Sequence, residues 1–331
     1  MTGYVVRRIL IMLLMLVLLS IAVFFLFNLL PADVARLSCG KACTPEIIEA
    51  NRTRLGLDMP VIQQYIVFVK GIFFGRTYPA GGGPGALECA APCLGYSFRK
   101  NATVLSLIME RLPATIWLAL GAFILFMTVG ILTGVYAALR RSRWQDKSVM
   151  GISLLGYSMP AFFLGLVALF FIIIRWQLLP YPSYVSPFVN PKQFFETMLL
   201  PWIILAILYA AFYTRLTRSQ MLETLGEDYI RTARAKGLPE RTVVGKHALR
   251  AGLTPIVTAA GLDLAGLLGG AIITESVFSL PGIGTLAVSA VVDPDLPVLV
   301  GVTLITSFFI IVANLIVDLL YAVIDPRVRL T

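Results

Sequence analysis

Long apolar runs alternate with short polar stretches along the chain. A bilayer core about 30 Å thick needs roughly 20 apolar residues for each helical crossing, and runs of this kind recur along the sequence. The pattern predicts an all-α integral membrane protein with six transmembrane helices. The predicted spans are Ile9–Leu30, Leu112–Leu139, Met150–Ile174, Met198–Tyr213, Leu253–Val277 and Val298–Val323.

The composition supports membrane insertion. Hydrophobic residues make up 58% of the 331-residue chain and charged residues only 14%, whereas about a quarter of a soluble domain is charged. The first apolar run follows Arg7 and Arg8, as in a secretory signal. However, the run is too long for one, and Asn28–Pro31 offers no small-residue cleavage site. We therefore expect a retained first helix.

The lysine and arginine residues indicate the orientation. Most of the 27 flank the spans on one side, at Arg7, Arg140–Lys147, Arg215–Arg250 and Arg327. Cationic segments beside a span resist translocation, so this side is predicted to be cytoplasmic, with both termini inside. The net charge of +9 does not indicate a nucleic-acid partner, because the basic residues border helix ends instead of forming a basic, aromatic-rich domain.

A long polar region separates the first two predicted spans. Within it, Thr44 is a predicted helix N-cap with Pro45 at the first helical position, and Val61–Phe74 predicts a second short helix. The Gly- and Pro-rich stretch Tyr78–Gly85 predicts an exposed loop without regular structure. If the orientation is correct, this whole region lies outside the cytoplasm.

All cysteines of the chain lie in this outer region, as two pairs of equal spacing. An outer location exposes them to an oxidising compartment, which favours disulfides over free thiols. A four-thiolate metal site is a weaker alternative, because such sites usually use C-x-x-C pairs. Four cysteines allow three connectivities. Disulfides between the two pairs would tie the Gly-rich loop back to the segment that follows the first span. The candidates are Cys39, Cys43, Cys89 and Cys93.

The cytoplasmic loop at residues 214–252 has the strongest local pattern. Asp228 is in a predicted first helical turn, Arg234 and Lys236 are in the last, and this arrangement matches the helix dipole. Gly237 is the predicted left-handed stop, and Pro239 begins a second helix. The loop is therefore predicted to be a helix-turn-helix elbow. Basic helices that contact anionic lipid head groups are the simpler alternative.

Several kinds of chemistry are excluded by what the sequence lacks. A phosphate-binding P-loop needs G-x-x-x-x-G-K-[ST], but Gly245 and Lys246 are followed by His247, and position 240 is Glu. His247 is the only histidine, so histidine metal sites and serine or cysteine triads cannot form. We expect neither catalysis nor a bound cofactor or metal.

Ionisable residues inside the predicted spans are candidate functional residues, because charges are costly there. Glu275 is near the predicted outer end of its span, where it could simply reach interfacial water or a partner group. Asp263 is deeper, within a run of small residues that would let another helix approach closely. The candidates for a translocation path or a subunit seam are Asp263, Gly266, Gly269, Gly270 and Glu275.

The tract Arg231-Thr-Ala-Arg-Ala-Lys-Gly237 resembles the EAA loop of binding-protein-dependent ABC importers, in the oligopeptide and dipeptide permease family of MetI-like proteins. Further segments resemble this family in the same order, so the resemblance covers nearly the whole chain. These segments are Tyr4–Arg8, Leu55–Pro60, Gly95–Phe98, Arg111–Thr115, Ser158–Phe162, Glu275–Gly284 and Asp325–Arg327.

The resemblance implies a permease subunit with a MetI-like core at residues 104–325 and an outer segment at residues 31–103. Residues 1–30 are then the cytoplasmic N-terminus and the first transmembrane helix, and residues 326–331 are a cytoplasmic tail. It implies a second homologous permease, two cytoplasmic ATPase subunits that carry ATP and Mg²⁺, an extracytoplasmic substrate-binding protein, and surrounding lipid in a bacterial or archaeal inner membrane. The loop residues implied to dock on the ATPase are Asp228, Tyr229, Arg231, Thr232, Ala233, Arg234, Ala235, Lys236, Gly237, Leu238 and Pro239.

Two features depart from the family pattern. The first EAA position is Arg231 instead of Glu, and the second cysteine pair lies in an insertion between Gly75 and Gly95.

The resemblance implies peptides as the default substrate. A stand-alone carrier or channel would be expected to contain inverted repeats, and a membrane enzyme would need a reactive cluster. The sequence favours neither alternative.

Overall fold

The computed structural model describes residues 2–29, 34–37, 44–79 and 86–324. Helices account for most of these residues, which confirms the predicted all-α class. The helices are α1 Thr2–Leu29, α2 Val34–Leu37, α3 Pro45–Leu55, α4 Val61–Phe74, α5 Val104–Leu139, α6 Trp144–Ser158, α7 Ala161–Ala168, α8 Pro191–Leu225, α9 Asp228–Ala235, α10 Glu240–Thr242, α11 Leu249–Leu268, α12 Ile272–Val277, α13 Ile283–Val292 and α14 Leu296–Ile324.

Five helices in the described ranges are long and apolar enough to cross a membrane, and a sixth crossing exists if one bent pair counts as a span. The continuous crossing before α12 combines α10, a π-helical segment Val243–Ala248 and α11. The six predicted spans each fall on one of these crossings. The candidate membrane spans are Val6–Leu26, Val104–Leu139, Pro191–Leu225, Glu240–Leu268, Leu296–Val317 and the pair Trp144–Ser158 with Ala161–Arg175.

The third predicted span was expected to be continuous, and this detail was wrong. Its two halves, α6 and α7 with the π-helical continuation Leu169–Arg175, are bent by 96°. Met159 is extended (φ −87°, ψ 132°) ahead of Pro160, because proline disfavours the helical conformation at the preceding residue and cannot donate an N–H. The fifth span also ends earlier than expected, at Leu268, since Gly270 adopts φ +113° before α12 begins.

Small β-structures between α4 and α5 were not predicted from the sequence. Strand β1 (Arg76–Pro79) pairs antiparallel with β2 (Ala86–Cys89), and β3 (Tyr96–Ser97) pairs with β4 (Ala102–Thr103). The first hairpin includes Tyr78 and Pro79, which were predicted to be loop residues. The predicted outer helices are confirmed, because Thr44 accepts a hydrogen bond from Ile47 N–H at the start of α3, and α4 has the predicted bounds.

The chain divides into two compact units. One contains Ala114–Leu280 with the end of α14, and the other contains Thr2–Pro113 with Pro281–Val312. In the second unit, Ser97 Oγ donates a hydrogen bond to the buried carboxylate of Asp295. Arg99 also forms an ion pair with Asp293 at 2.9 Å. These contacts join the β3 hairpin to the turn before α14.

The core of the first unit is built around close packing of α5 on α8. Gly130 and Gly134 in α5 are one helical turn apart and face α8, as in the small-residue motifs that let membrane helices approach closely. Thr133 and Thr214 also share a hydrogen bond of 2.7 Å between their hydroxyl groups. A Cβ at position 134 would lie 2.6 Å from Thr217 Cβ and 2.7 Å from the Thr214 carbonyl oxygen.

This packing predicts opposite effects for two alanine substitutions. Gly134→Ala should lower the free energy of unfolding by about 1–3 kcal/mol, because a backbone atom of α8 must move. Gly151→Ala in α6 is the control, since among the described residues no atom outside its own stretch of helix lies within 4 Å of its added Cβ. It should raise stability by up to about 1 kcal/mol through helix propensity. Detergent unfolding of the purified chain measures both, and equal effects would contradict this packing.

A buried ion pair joins α6 to α8 in the same unit. The Asp146 carboxylate accepts two hydrogen bonds from the Arg218 guanidinium, at 2.6 and 2.7 Å. It also accepts the Ser142 backbone N–H at 2.9 Å, which stabilises the turn before α6. The Asp146 side chain is only 5% exposed, whereas Arg218 is 27% exposed. The pair anchors the first turn of α6 to the C-terminal half of α8.

Candidate functional site

Helix α9 is largely exposed and lies between two of the long helices. It follows α8 after a two-residue turn and contains eight residues. Two of them, Ile230 and Ala233, are buried in an apolar cluster with Met221 of α8 and Val243. The cluster fixes one side of the helix to the ends of the neighbouring helices, and the rest of α9 is exposed. The exposed residues are Asp228, Tyr229, Arg231, Thr232, Arg234 and Ala235.

The exit from α9 has the geometry that the sequence predicted. Lys236 ends the helix, and Gly237 follows with φ +76°. The Gly237 N–H donates to the Arg234 carbonyl at 2.9 Å, and glycine permits the left-handed conformation without a Cβ penalty. The chain then turns at Leu238 and Pro239, and α10 begins at Glu240.

An ion pair closes this turn across its outer face. Arg234 donates to both carboxylate oxygens of Glu240, at 2.8 and 3.2 Å. The hydrogen bonds to Glu240 raise the pKa of the Arg234 guanidinium, so it stays charged. Arg231 forms a longer pair with Asp228, at 3.6 Å. The surface combines fixed positive charges with the half-exposed ring of Tyr229, whose pKa is raised by partial burial and then by the Glu227 carboxylate.

A second group of candidate residues surrounds Asp263 in α11. The Tyr213 hydroxyl of α8 donates to Asp263 Oδ2 at 2.5 Å, and the Tyr213 side chain is fully buried. Asp263 is also on the wall of a cavity of about 390 Å³. The tyrosines were not predicted as site residues, although their four-residue spacing on α8 places Tyr209 and Tyr213 on one helical face. The cavity is lined by Tyr157, Leu208, Tyr209, Phe212 and Asp263.

The other candidate path residues are held separately from Asp263. Glu275 in α12 is fully buried and accepts a hydrogen bond of 2.7 Å from the Thr115 hydroxyl. Gly269 follows the last residue of α11, and Gly270 makes the left-handed turn into α12. Gly266 is exposed, and among the described residues no atom outside its own stretch of helix lies within 4 Å of where its Cβ would be.

The cysteine prediction is partly tested. Cys89 and Cys93 form a disulfide with each other, next to the buried ring of Tyr78. This pairing excludes a disulfide from either residue back to the end of the first span. It also removes both thiolates from a four-thiolate site. Cys39 and Cys43 lie outside the described residues. No cluster of three or more His, Cys, Asp or Glu side chains suited to a metal occurs in the described ranges.

Peptide mapping tests this local disulfide. Digestion of the chain under non-reducing conditions should give a peptide in which Cys89 and Cys93 are joined internally. Reduction before alkylation should add two alkyl groups to the same peptide. Alkylation of both residues without prior reduction would contradict the pairing.

Two regions of the chain match known transport-protein families. Residues 130–330 match the family described as binding-protein-dependent transport system inner membrane component, and residues 1–119 match its N-terminal membrane-component family. The class is therefore a membrane component of a transport system that works with a binding protein. The chain belongs to the binding-protein-dependent transport system inner membrane component family.

Relatives make the assignment more specific. The dipeptide transport system permease protein DppB of Escherichia coli (strain K12) is 36% identical over 334 residues, covering 94% of each chain. A Brucella abortus (strain 2308) protein, whose name describes a peptide transport system permease, is 38% identical and covers 99% of each chain. This chain is a permease subunit of an ABC importer.

A solved structure supports the fold. The inward-facing MetNI methionine ABC transporter matches with a TM-score of 0.55 at 16% identity. The match covers 67% of this chain and 97% of that chain. At this identity the likeness establishes the MetI-like arrangement of helices and carries no information about substrate.

Proposed function

We propose that this permease pairs with a second homologous permease and two cytoplasmic ABC ATPases, and that it moves peptides inward by alternating access. An extracytoplasmic binding protein delivers the peptide. The ATPases bind ATP and Mg²⁺ and perform the hydrolysis, so this chain is itself not an enzyme. The inner membrane of a bacterial or archaeal cell, with both termini in the cytoplasm, is the proposed location.

One observation carries the proposal, namely the exposed and anchored helix α9. Its buried residues Ile230 and Ala233 contact side chains from the ends of α5, α8 and the helix that follows. A displacement of α9 is therefore passed to helices that are long enough to cross the membrane. The segment from Asp228 to Pro239 is the proposed coupling element, with its exposed face against an ATPase subunit.

Charge and disulfide chemistry support the proposed orientation. The basic residues of α9 and of the Arg140–Lys147 segment belong on the cytoplasmic side by the positive-inside rule. The Cys89–Cys93 disulfide fits the opposite, oxidising side. Residues 31–103 are then the extracytoplasmic segment, residues 104–325 the permease core, and residues 326–331 the cytoplasmic tail.

Exposed apolar and small residues on α11 support a seam with the second permease. Leu262 is 51% exposed, and Gly266 has open space beside it. A neighbouring helix could approach Gly266 closely, as small residues allow in membranes.

Peptide specificity is supported by the peptide transport assignments in the names of the relatives.

Co-purification tests the assembly. The affinity-tagged chain is extracted from native membranes in mild detergent, and its partners are identified by mass spectrometry. A second permease and ATPases with P-loops should be recovered, and the isolate should hydrolyse ATP. Recovery of the chain alone and without activity, from several gentle detergents, would contradict the proposal and favour a stand-alone carrier or channel.

A further inference from the structure

The cavity beside Asp263 is an open cleft with a single carboxylate in its lining. Its volume of about 390 Å³ lies in the range of roughly 300–1,000 Å³ that is usual for small-ligand pockets. Its walls are apolar or aromatic except for the Asp263 carboxylate and the tyrosine hydroxyl groups. All of the residues that line it belong to α6, α8 and α11.

Asp263 is positioned by a buried aromatic stack. Phe126, which is fully buried, lies between the rings of Tyr209 and Tyr213, with ring centroids 5.0 and 5.1 Å away and interplanar angles of 23° and 21°. This packing restricts the rotation of Tyr213, whose hydroxyl donates to Asp263 Oδ2. The carboxylate is therefore held at a defined position on the cavity wall.

Within the residues that the structure describes, no ion pair to Asp263 is found, and its one hydrogen bond comes from Tyr213. A carboxylate inside a membrane domain is costly unless it is paired. The Arg215 guanidinium is 4.6 Å from the ring centroid of Tyr157, which is one of the residues that line the cavity. The aromatic lining thus already accepts a cation, but not one bound to Asp263.

We propose that Asp263 binds the ammonium group of a peptide in transit, with Tyr209 beside it and Tyr213 as a positioning residue. An ammonium donates hydrogen bonds to a carboxylate, and aromatic faces attract it further. The apolar wall from Leu208 and Phe212 accommodates a side chain of the peptide. This inference deepens the proposed function and rests on it.

The test uses the intact importer complex in lipid nanodiscs, without the binding protein. Equilibrium dialysis measures the binding of radiolabelled dialanine and of N-acetyl-dialanine, which lacks the ammonium. The complex should bind dialanine at least about tenfold more tightly, because hydrogen bonds between charged groups are the stronger class. Asp263→Asn should remove this preference. Tyr213→Phe should weaken it, because the carboxylate remains but is less well positioned.

Two further readouts keep the outcomes distinct. Arg215→Gln should retain the preference for dialanine; if it loses the preference as Asp263→Asn does, Asp263 serves Arg215 and the inference is overturned. Equal affinity for the two probes, or no binding of dialanine by the unmodified complex, also overturns it. ATP hydrolysis is measured on the same samples. Its absence from the unmodified complex contradicts the importer assignment, whereas equal affinity for the two probes in a complex that hydrolyses ATP contradicts the Asp263 inference alone.

Discussion

Replacement of Arg234–Gly237 by Gly-Ser-Gly-Ser is expected to abolish the transport-coupled ATP hydrolysis of the importer complex. The altered chain should still insert into the membrane and fold. All four residues are exposed, so their loss removes no core contact. The replacement removes the Arg234–Glu240 ion pair and the helical end of α9. A flexible segment cannot hold the exposed face of α9 in place, so motion of the ATPase no longer reaches the long helices. Stimulated ATP hydrolysis and peptide uptake are measured on the reconstituted complex.

A matched control separates coupling from a general loop effect. Phe188 and Val189 form an exposed turn, at 88% and 81% exposure, before the Asn190 cap of α8. Their replacement by Gly-Ser should leave stimulated hydrolysis close to that of the unmodified complex. If the complex with the α9 replacement keeps its stimulated ATP hydrolysis, or if the control loses as much of it, the proposal that α9 transmits force is contradicted.

Loss of either partner of the Asp146–Arg218 pair is expected to destabilise the chain, with unequal costs. Arg218→Met leaves the carboxylate of Asp146 uncompensated at 3% residue exposure, which should cost about 3–5 kcal/mol. Asp146→Asn leaves a guanidinium that is 27% exposed and can reach water, so the cost should be smaller, about 1–3 kcal/mol. Unfolding of the purified chain by sodium dodecyl sulfate measures both values.

Glu196→Gln is the control for this comparison. Glu196 pairs with Lys192 one turn away at 3.8 Å, and both side chains are well exposed. Such a pair contributes at most about 0.5 kcal/mol. If Arg218→Met costs no more than this control, the Asp146–Arg218 pair does not anchor α6 to α8.

Local signals in the sequence were sufficient to predict α9 and the turn that follows it. The dipole-matched charges of α9, the left-handed Gly237 and the helix start after Pro239 each depend on neighbouring residues only. The same holds for the Thr44 cap and the bounds of α4. These features require no knowledge of which helices pack together, so the sequence alone predicted them correctly.

Features that depend on tertiary packing were missed. The spacing of Gly130 and Gly134 was visible, but its meaning required the partner residues Thr214 and Thr217 on α8. The Asp146–Arg218 pair and the Tyr213–Asp263 hydrogen bond join residues that are far apart in sequence. The bend at Met159–Pro160 had a local signal in Pro160. The apolar run continued across it, however, and hydropathy does not distinguish a straight span from a bent pair.

ATP-driven uptake of radiolabelled peptides is the most direct test of the central claim. The complex purified through this chain is reconstituted into proteoliposomes with the binding protein on the outside and ATP enclosed. The account predicts that a mixed pool of di- and oligopeptides accumulates above its external concentration, that accumulation requires hydrolysable ATP, and that the α9 replacement eliminates it. Equal uptake without ATP, or no uptake of any peptide by an assembly that hydrolyses ATP, would contradict the account.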